Sequence, residues 1–313
     1  MRIVIILDVA RHRLLIPPLV ALAAVLAMAC GAGSGSGLTG KIQAVGAENE
    51  YANVLSQIGG RYVQVTAIMT NPSTDPHAFE ASPAVAQAVG RSQLVVQNGL
   101  GYDGFMTQIE NSTPSSSRRV IDVQKVLGLP DSTPNPHLWY RPSTMPAVAG
   151  RIAQDLSALQ PAHRPYFQHN LRAFDKSLGP WRRAIAGLAS RDPGAPVAVT
   201  EPVPDYLIQA AGLDDRTPWQ LQADVMNGVD LSPQSVTLEE NLLRRHQVKA
   251  LLYNQQVTDS VTQTFLSVAG QSGVPVVGVY ETMPPEYTYQ SWMLAETRAL
   301  QRAIEDGTST QHL

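Results

Sequence analysis

Phe167, Leu171, Phe174, Leu178, Trp181, Ile185 and Leu188 follow one another at spacings of 4, 3, 4, 3, 4 and 3. No other feature of the chain limits its architecture so much. That spacing places all seven on one face of an α-helix. The 22 residues from Phe167 to Leu188 would span roughly 33 Å, about the width of a domain, at ~1.5 Å per residue. Pro180 lies inside the pattern and removes one backbone donor, so it predicts a kink there, with the stripe continuing beyond.

Short β-branched and apolar runs flank this segment on both sides. Before it come KIQAV (41–45), Val63 to Met69 and Leu94 to Gln97, with helical patterns over Asn53 to Ile58 and Pro83 to Gly90. After it come PVAVT (196–200), VKALLY (248–253) and VPVVGVY (274–280), with helical stretches over Tyr206 to Ala211, Leu238 to Arg245 and Val261 to Gln271. Gly59-Gly60 and Asn98-Gly99 supply stop signals. Strand and helix in alternation imply parallel sheets covered by helices. The expected fold is therefore α/β, with two lobes, each a mostly parallel sheet flanked by helices, joined by one long linker helix. The divisions read as 41–160, 161–191 and 192–313. No internal sequence repeat relates the lobes, and a helical linker predicts limited lobe closure.

The N-terminus reads as a targeting segment. Arg11, His12 and Arg13 precede 16 uncharged residues, Leu14 to Ala29, and then Cys30, the only cysteine, followed by GAGSGSG. A charged region, a short apolar run and small residues at a cleavage point make a secretory signal over 1–29. LAMAC, ending at Cys30, resembles a bacterial lipobox, with Ala27 where Leu is commoner. Lipidation of Cys30 and a flexible tether over 30–40 follow from that resemblance; a buried core cysteine is the alternative. With Cys30 so used, neither a disulfide nor a thiolate metal site is available. Removing residues 1–29 leaves 20 basic against 25 acidic residues. That mild acidity argues against nucleic acid or a basic membrane patch.

Four residues stand out as candidate metal ligands. His77 sits in TDPHAFE and His137 in PNPHLWY, each behind a proline that fixes the backbone just before the imidazole. Glu201 directly follows PVAVT and Glu281 directly follows VPVVGVY, where open parallel sheets bind ligands. The alternative for both acids is a place at a helix N-terminus, favouring its dipole. Glu48, Asn49, Asn135, Asn254 and Gln255 could orient ligands by hydrogen bonds, and turn chemistry explains them equally well. His12 falls in the signal, and His163, His169, His246 and His312 read as surface or tail.

IGGRYVQV (58–65), DPHAFEASP (75–83), VVQNGLGYD (95–103), NPHLWY (135–140), TEPVPDYLIQAAGL (200–213), LLYNQQVTD (251–259) and GVYETMPPEYTYQSWM (278–293) together resemble the metal-binding component of bacterial zinc and manganese ABC importers, in the cluster with a rigid helical linker. The resemblance runs from about Lys41 to Ile304. It implies four ligands matching His77, His137, Glu201 and Glu281. It further implies one Zn²⁺ or Mn²⁺ as cargo, an ABC permease as partner, a monomer, and an extracytoplasmic location at the membrane through Cys30. Glu at the third ligand position, and the absence of histidine from 105–135, lean towards manganese. Against this, Zn²⁺ binds nearly any such site more tightly, and Glu281, where the family more often has Asp, leaves the coordination geometry open, so the two ions stand nearly even. Two imidazoles and two carboxylates would neutralise the ion in a cleft, where an uncompensated charge is costly. Rival readings are a surface-anchored zinc hydrolase, an adhesin, or capture of a chelated metal. No HExxH, GxSxG or Cys–His arrangement is present to support an enzyme.

Overall fold

The computed structural model describes residues 40–73 and 76–313. The signal segment, Cys30 and most of the tether lie outside the described residues.

The first sheet contains β1 (Ile42–Glu48), β2 (Val63–Met69), β3 (Leu94–Gln97) and β4 (Arg119–Asp122), in spatial order β2-β1-β3-β4 and parallel throughout. The second contains β5 (Pro196–Val199), β6 (Asp214–Asp215), β7 (Leu251–Asn254) and β8 (Val276–Val279), in order β6-β5-β7-β8, also parallel. The two sheets thus repeat one strand order, although no repeat is visible in the sequence. β3, β7 and β8 are buried along their whole length, because helices cover both faces of a parallel sheet. Their runs accordingly do not alternate, and are apolar apart from the closing Gln97 of β3 and Asn254 of β7. In each sheet the first strand lies between the second and the third, so the chain leaves it in opposite directions at its carboxyl end. That is the switch point where such sheets open a crevice.

The linker pattern folds as two helices, Arg164–Ser177 and Gly179–Arg191, with Leu178 between them. The interruption is sharper than the kink expected from Pro180. Pro180 lies in the first turn of the second helix, where its missing N–H costs nothing because that donor has no partner in a helix anyway. Every residue of the stripe is buried except Leu171, which is half-buried. Trp181 packs edge-on against Tyr289, and its Nε1 donates to Thr297 Oγ1 at 3.0 Å, tying the linker to the helix Tyr289–Asp306.

One hydrophobic cluster runs without a break from Ile42 and Leu94 in the first lobe, through Phe167 and Trp181 in the linker, to Val277 and Ile304 in the second. Hydrogen bonds cross between the lobes as well. Asn49 Nδ2 donates to the Met283 carbonyl while Asn49 Oδ1 accepts the Met283 N–H. Tyr289 Oη donates to the Trp139 carbonyl at 2.7 Å. Separating the lobes would open this shared core and break these bonds. Among the described residues, no helix is long and apolar enough to cross a membrane.

Candidate metal centre

His77 stands on the 3-10 turn Pro76–Ala78, shortly after β2. His137 immediately precedes the 3-10 turn Leu138–Tyr140. Glu281 lies two residues past the end of β8. From these separate places the three side chains meet. Glu281 Oε2 is 3.1 Å from His137 Nε2 and 3.4 Å from His77 Nε2. One ligand atom from each of the three lies within 4.8 Å of the other two. The imidazole planes stand nearly perpendicular, at 87°, with centroids 6.3 Å apart, so the rings present their edges to a common point. Donors held ~2.0–2.1 Å from a tetrahedral ion are separated by roughly 3.3 Å. The two measured contacts bracket that separation.

Hydrogen bonds behind the donors set their chemistry. Asn135 Nδ2 donates to the Pro202 carbonyl at 2.6 Å, which turns Oδ1 towards His137. Oδ1 accepts the His137 backbone N–H and faces Nδ1, both at 2.9 Å. The proton of neutral His137 therefore sits on Nδ1, and Nε2 offers a lone pair. Burial lowers the His137 pKa, although the Glu281 carboxylate works against that. Burial by itself would raise Glu281, but hydrogen bonds and charge from His137 and His77 outweigh it and hold the carboxyl well below the usual range. The bond that lowers Glu281 needs a proton between Oε2 and His137 Nε2 at 3.1 Å, and a cation entering the centre would take that proton's place. No Lys or Arg among the described residues forms a salt bridge with Glu281.

Glu201 is buried, one residue past Thr200 at the end of β5. It does not belong to the group of three. Its Oε2 accepts from Asn254 Nδ2 at 2.7 Å, and the same nitrogen donates to Glu281 Oε1 at 2.8 Å. The structure therefore brings His77, His137 and Glu281 together and places Glu201 beside them, one amide away. Neither acid sits in the first turn of a helix. The helix after Glu201 begins at Asp205 and the one after Glu281 at Tyr289.

The residues expected to orient ligands divide. Asn135 and Asn254 hydrogen-bond directly to candidate ligands, Asn135 to His137 and Asn254 to Glu201 and Glu281. Gln255 does not: its backbone extends the β7–β8 ladder to Val279. The neighbouring Gln256 takes that role, its Oε1 accepting the N–H groups of both Glu281 and Thr282 at 2.7 Å. Asn49 binds Met283 and staples the lobes. Glu48 does not reach the donors; it lies against Asp103. Burial, then the charges of Asp103 and Glu50, raise the Glu48 carboxyl far above its ordinary value. Asp103 is pushed up to about 6 by burial, held back by the Gly99 and Asn98 N–H groups. Glu50, fully buried, is raised mainly by burial, with its own backbone N–H pulling the other way and Glu281 raising it further. Burial thus disfavours the charged forms of Glu48 and Glu50, whereas Glu281 is the carboxylate whose charged form the histidines favour.

Sequence reasoning passed over Tyr102. Its Oη donates to Glu281 Oε2 at 3.0 Å, and its ring packs edge-on against both histidines. The NGLGYD motif carried the signal, but nothing local shows that this ring faces a residue 179 positions away. Of the three donors only His77 keeps solvent access, 27% of its side chain. It lines a cavity of about 410 Å³ shared by Tyr102 and Pro136 of the first lobe and Trp219 and Met226 of the second. Of the remaining histidines, His163 stacks on Tyr62 at 3.7 Å, and none joins a metal-ligating group among the described residues.

A family model described as zinc-uptake complex component A, periplasmic, matches residues 45–303. The metal ABC transporter substrate-binding lipoprotein FimA of Streptococcus parasanguinis is 22% identical over 263 residues, 80% of this chain and 82% of that protein. The manganese ABC transporter substrate-binding lipoprotein PsaA of Streptococcus pneumoniae is 21% identical over 270 residues, 82% of this chain and 85% of its own length. Among solved structures, the substrate-binding protein FpvC of Pseudomonas aeruginosa in complex with Mn²⁺ superposes with a TM-score of 0.69 at 22% identity. That match covers 85% of this chain and 99% of FpvC, and it supports the two-lobe fold.

Proposed function

The chain belongs to the family of periplasmic zinc-uptake component A proteins, and from that footing we propose that it captures one divalent transition metal ion outside the cytoplasm and hands it to an ABC import permease. His77, His137 and Glu281 are the primary ligands, and Glu201 supplies the fourth donor. The observation that carries this reading is the convergence of both Nε2 atoms on one carboxylate oxygen at 3.1 and 3.4 Å. The first lobe contributes the histidines and the second the acids, so an ion at their meeting point joins the lobes, and the permease reads the joined form.

The role needs no turnover. Catalytic zinc keeps an open water position beside a base poised to act. Here the carboxyls nearest the donors are either hydrogen-bonded in place or buried with their charged form disfavoured, which favours holding an ion over activating water. The protein works as a monomer, tethered to the membrane by acylated Cys30. A Cys30→Ser chain should leave the membrane fraction for the medium with its metal affinity intact; retention in the membrane would contradict the anchor.

Native mass spectrometry of the mature protein with Zn²⁺ and Mn²⁺ tests the capture. One ion per chain is expected for the unmodified protein, almost none for Glu281→Ala, and weakened binding for Glu201→Ala. Full metal occupancy in Glu281→Ala would refute the assignment of the centre.

A further inference from the structure

β8 is an outer strand of its sheet, and Glu281 follows it by two residues. On the inner side β7 holds it, the Gln255 N–H donating to the Val279 carbonyl at 3.0 Å. An open strand edge needs a cover, and the chain supplies one from beyond the helix Tyr289–Asp306. Gly307, at φ 67°, ends that helix in the left-handed conformation, and the residues after it return along β8. The Gly278 N–H donates to the Thr310 carbonyl, and the Thr310 N–H to the Val276 carbonyl, both at 2.8 Å. Ser309 Oγ accepts the Val276 N–H at 3.0 Å. Val277 and Thr310 pair in parallel, so this segment takes the position of a fifth strand.

Two observations connect the segment to the metal centre. The Tyr280 side chain is hydrogen-bonded to the Leu313 backbone, and Tyr280 immediately precedes Glu281. Gly278, three residues before Glu281, is the second. A Cβ placed on it would overlap the Gln311 carbonyl, so only glycine lets the segment approach this closely. The φ of Gly278 is not positive, and its backbone conformation makes no such demand. The attachment is nevertheless light. Beyond the bonds above, Arg302 Nη2 donates to Thr310 Oγ1 at 3.3 Å, while Thr308, Ser309, Gln311 and His312 are exposed. Segments with few buried contacts and exposed hydrogen bonds open without global unfolding. We propose that Thr308–Leu313 is a detachable strap that keeps Glu281 in position for the ion, so that lifting it from β8 speeds metal release and leaves the fold intact. The proposal rests on the metal-capture reading, with Glu281 as a ligand, and adds to it an element that sets how long the ion stays.

Two variants lift the strap independently: Gly278→Ala, whose methyl collides with Gln311, and a chain ending at Gly307. Zn²⁺ release from each is followed by a stopped-flow chase with excess coloured chelator, and urea unfolding checks that each remains folded. Release should be about tenfold faster in both, the lower end of the range for groups that support metal ligands. The rate of capture should not change, because His77, the donor open to solvent, is untouched. The two changes combined should release no faster than the shortened chain alone, since the methyl then has nothing to displace; a general loss of stability would not give that equality. Unaltered release in the folded variants overturns the proposal, and so does a further acceleration by Gly278→Ala in the shortened chain. Should one variant fail to fold, release from the other decides. An unmodified protein that takes up no Zn²⁺ would instead refute the metal-capture reading itself.

Discussion

Replacing Glu296 with Gln should stabilise the protein at neutral pH and erase part of its pH dependence. Glu296 lies fully buried on the helix Tyr289–Asp306, with Oε1 accepting from Trp292 Nε1 at 2.7 Å and Oε2 2.6 Å from Tyr140 Oη. Tyr140 Oη also lies 2.8 Å from the Tyr280 carbonyl. Two acceptors face a phenol that owns one proton. A proton on Glu296 resolves this: the acid donates to Tyr140, and Tyr140 donates to Tyr280. Burial, only partly offset by these bonds, raises the Glu296 pKa from 4.5 to about 8. The strut joins Tyr140, three residues after His137, to Tyr280, immediately before Glu281, and so helps hold the two lobes' ligands in register.

The sign follows from proton counting. Between pH 4.5 and about 8 the folded protein keeps a proton that the unfolded chain has released. This group's contribution to stability is complete below pH 4.5, declines as pH rises through that window, and levels off above it. The slope is about 1.4 kcal/mol per pH unit, or about 3 kcal/mol between pH 5 and 7. Gln carries an amide N–H where the acid carries its proton, so Glu296→Gln keeps the strut without the slope. Urea unfolding of the metal-free protein and the variant at several pH values measures it, and other buried acids cancel in the difference. The variant should gain on the unmodified protein by about 3 kcal/mol from pH 5 to 7. Parallel pH profiles would show that Glu296 is not held protonated and would refute the reasoning.

Two further outcomes follow from the centre. Asn135→Ala removes the acceptor that fixes the His137 tautomer and the bond to the Pro202 carbonyl, so metal affinity should drop about 10- to 100-fold in competition against a coloured chelator; unaltered affinity would mean that the tautomer is set elsewhere. Protonated imidazole cannot ligate, and burial lowers the His137 pKa from 6.5. For this ligand, then, affinity should hold through neutral pH and fall only as pH drops below 6.5, in titrations run across that range; affinity lost already above neutrality would contradict a depressed value.

Local patterns were sufficient wherever the physics is local. The runs Val63–Met69 and Leu94–Gln97 are strands with the bounds read from the sequence, because a β-branched or apolar run closed by a turn signal has few alternatives. The prolines before His77 and His137, and the strand ends before Glu201 and Glu281, placed candidate ligands at turns and at sheet edges. The stripe from Phe167 to Leu188 identified the linker, since a 3.6-residue period needs no knowledge of what it packs against. Other elements stayed hidden. The half-exposed β4 and the two-residue β6 carry too little pattern, and β6 exists through pairing with Pro196 and Val197.

Only the tertiary structure decided how the candidates combine. Gln255 and Gln256 are adjacent, yet one continues a ladder while the other holds the Glu281 backbone; a single step along an extended chain reverses the side chain's direction, and the sequence does not say which direction faces Glu281. Glu281 meets His137 across 144 positions and Tyr102 across 179. Such contacts depend on how two sheets are docked through a shared core, a relation absent from any window of the sequence. The same docking set Glu201 one amide away from the three meeting donors. Residue types and spacings thus named the ligand candidates, whereas which of them meet, and through which atoms, was settled by packing between distant segments.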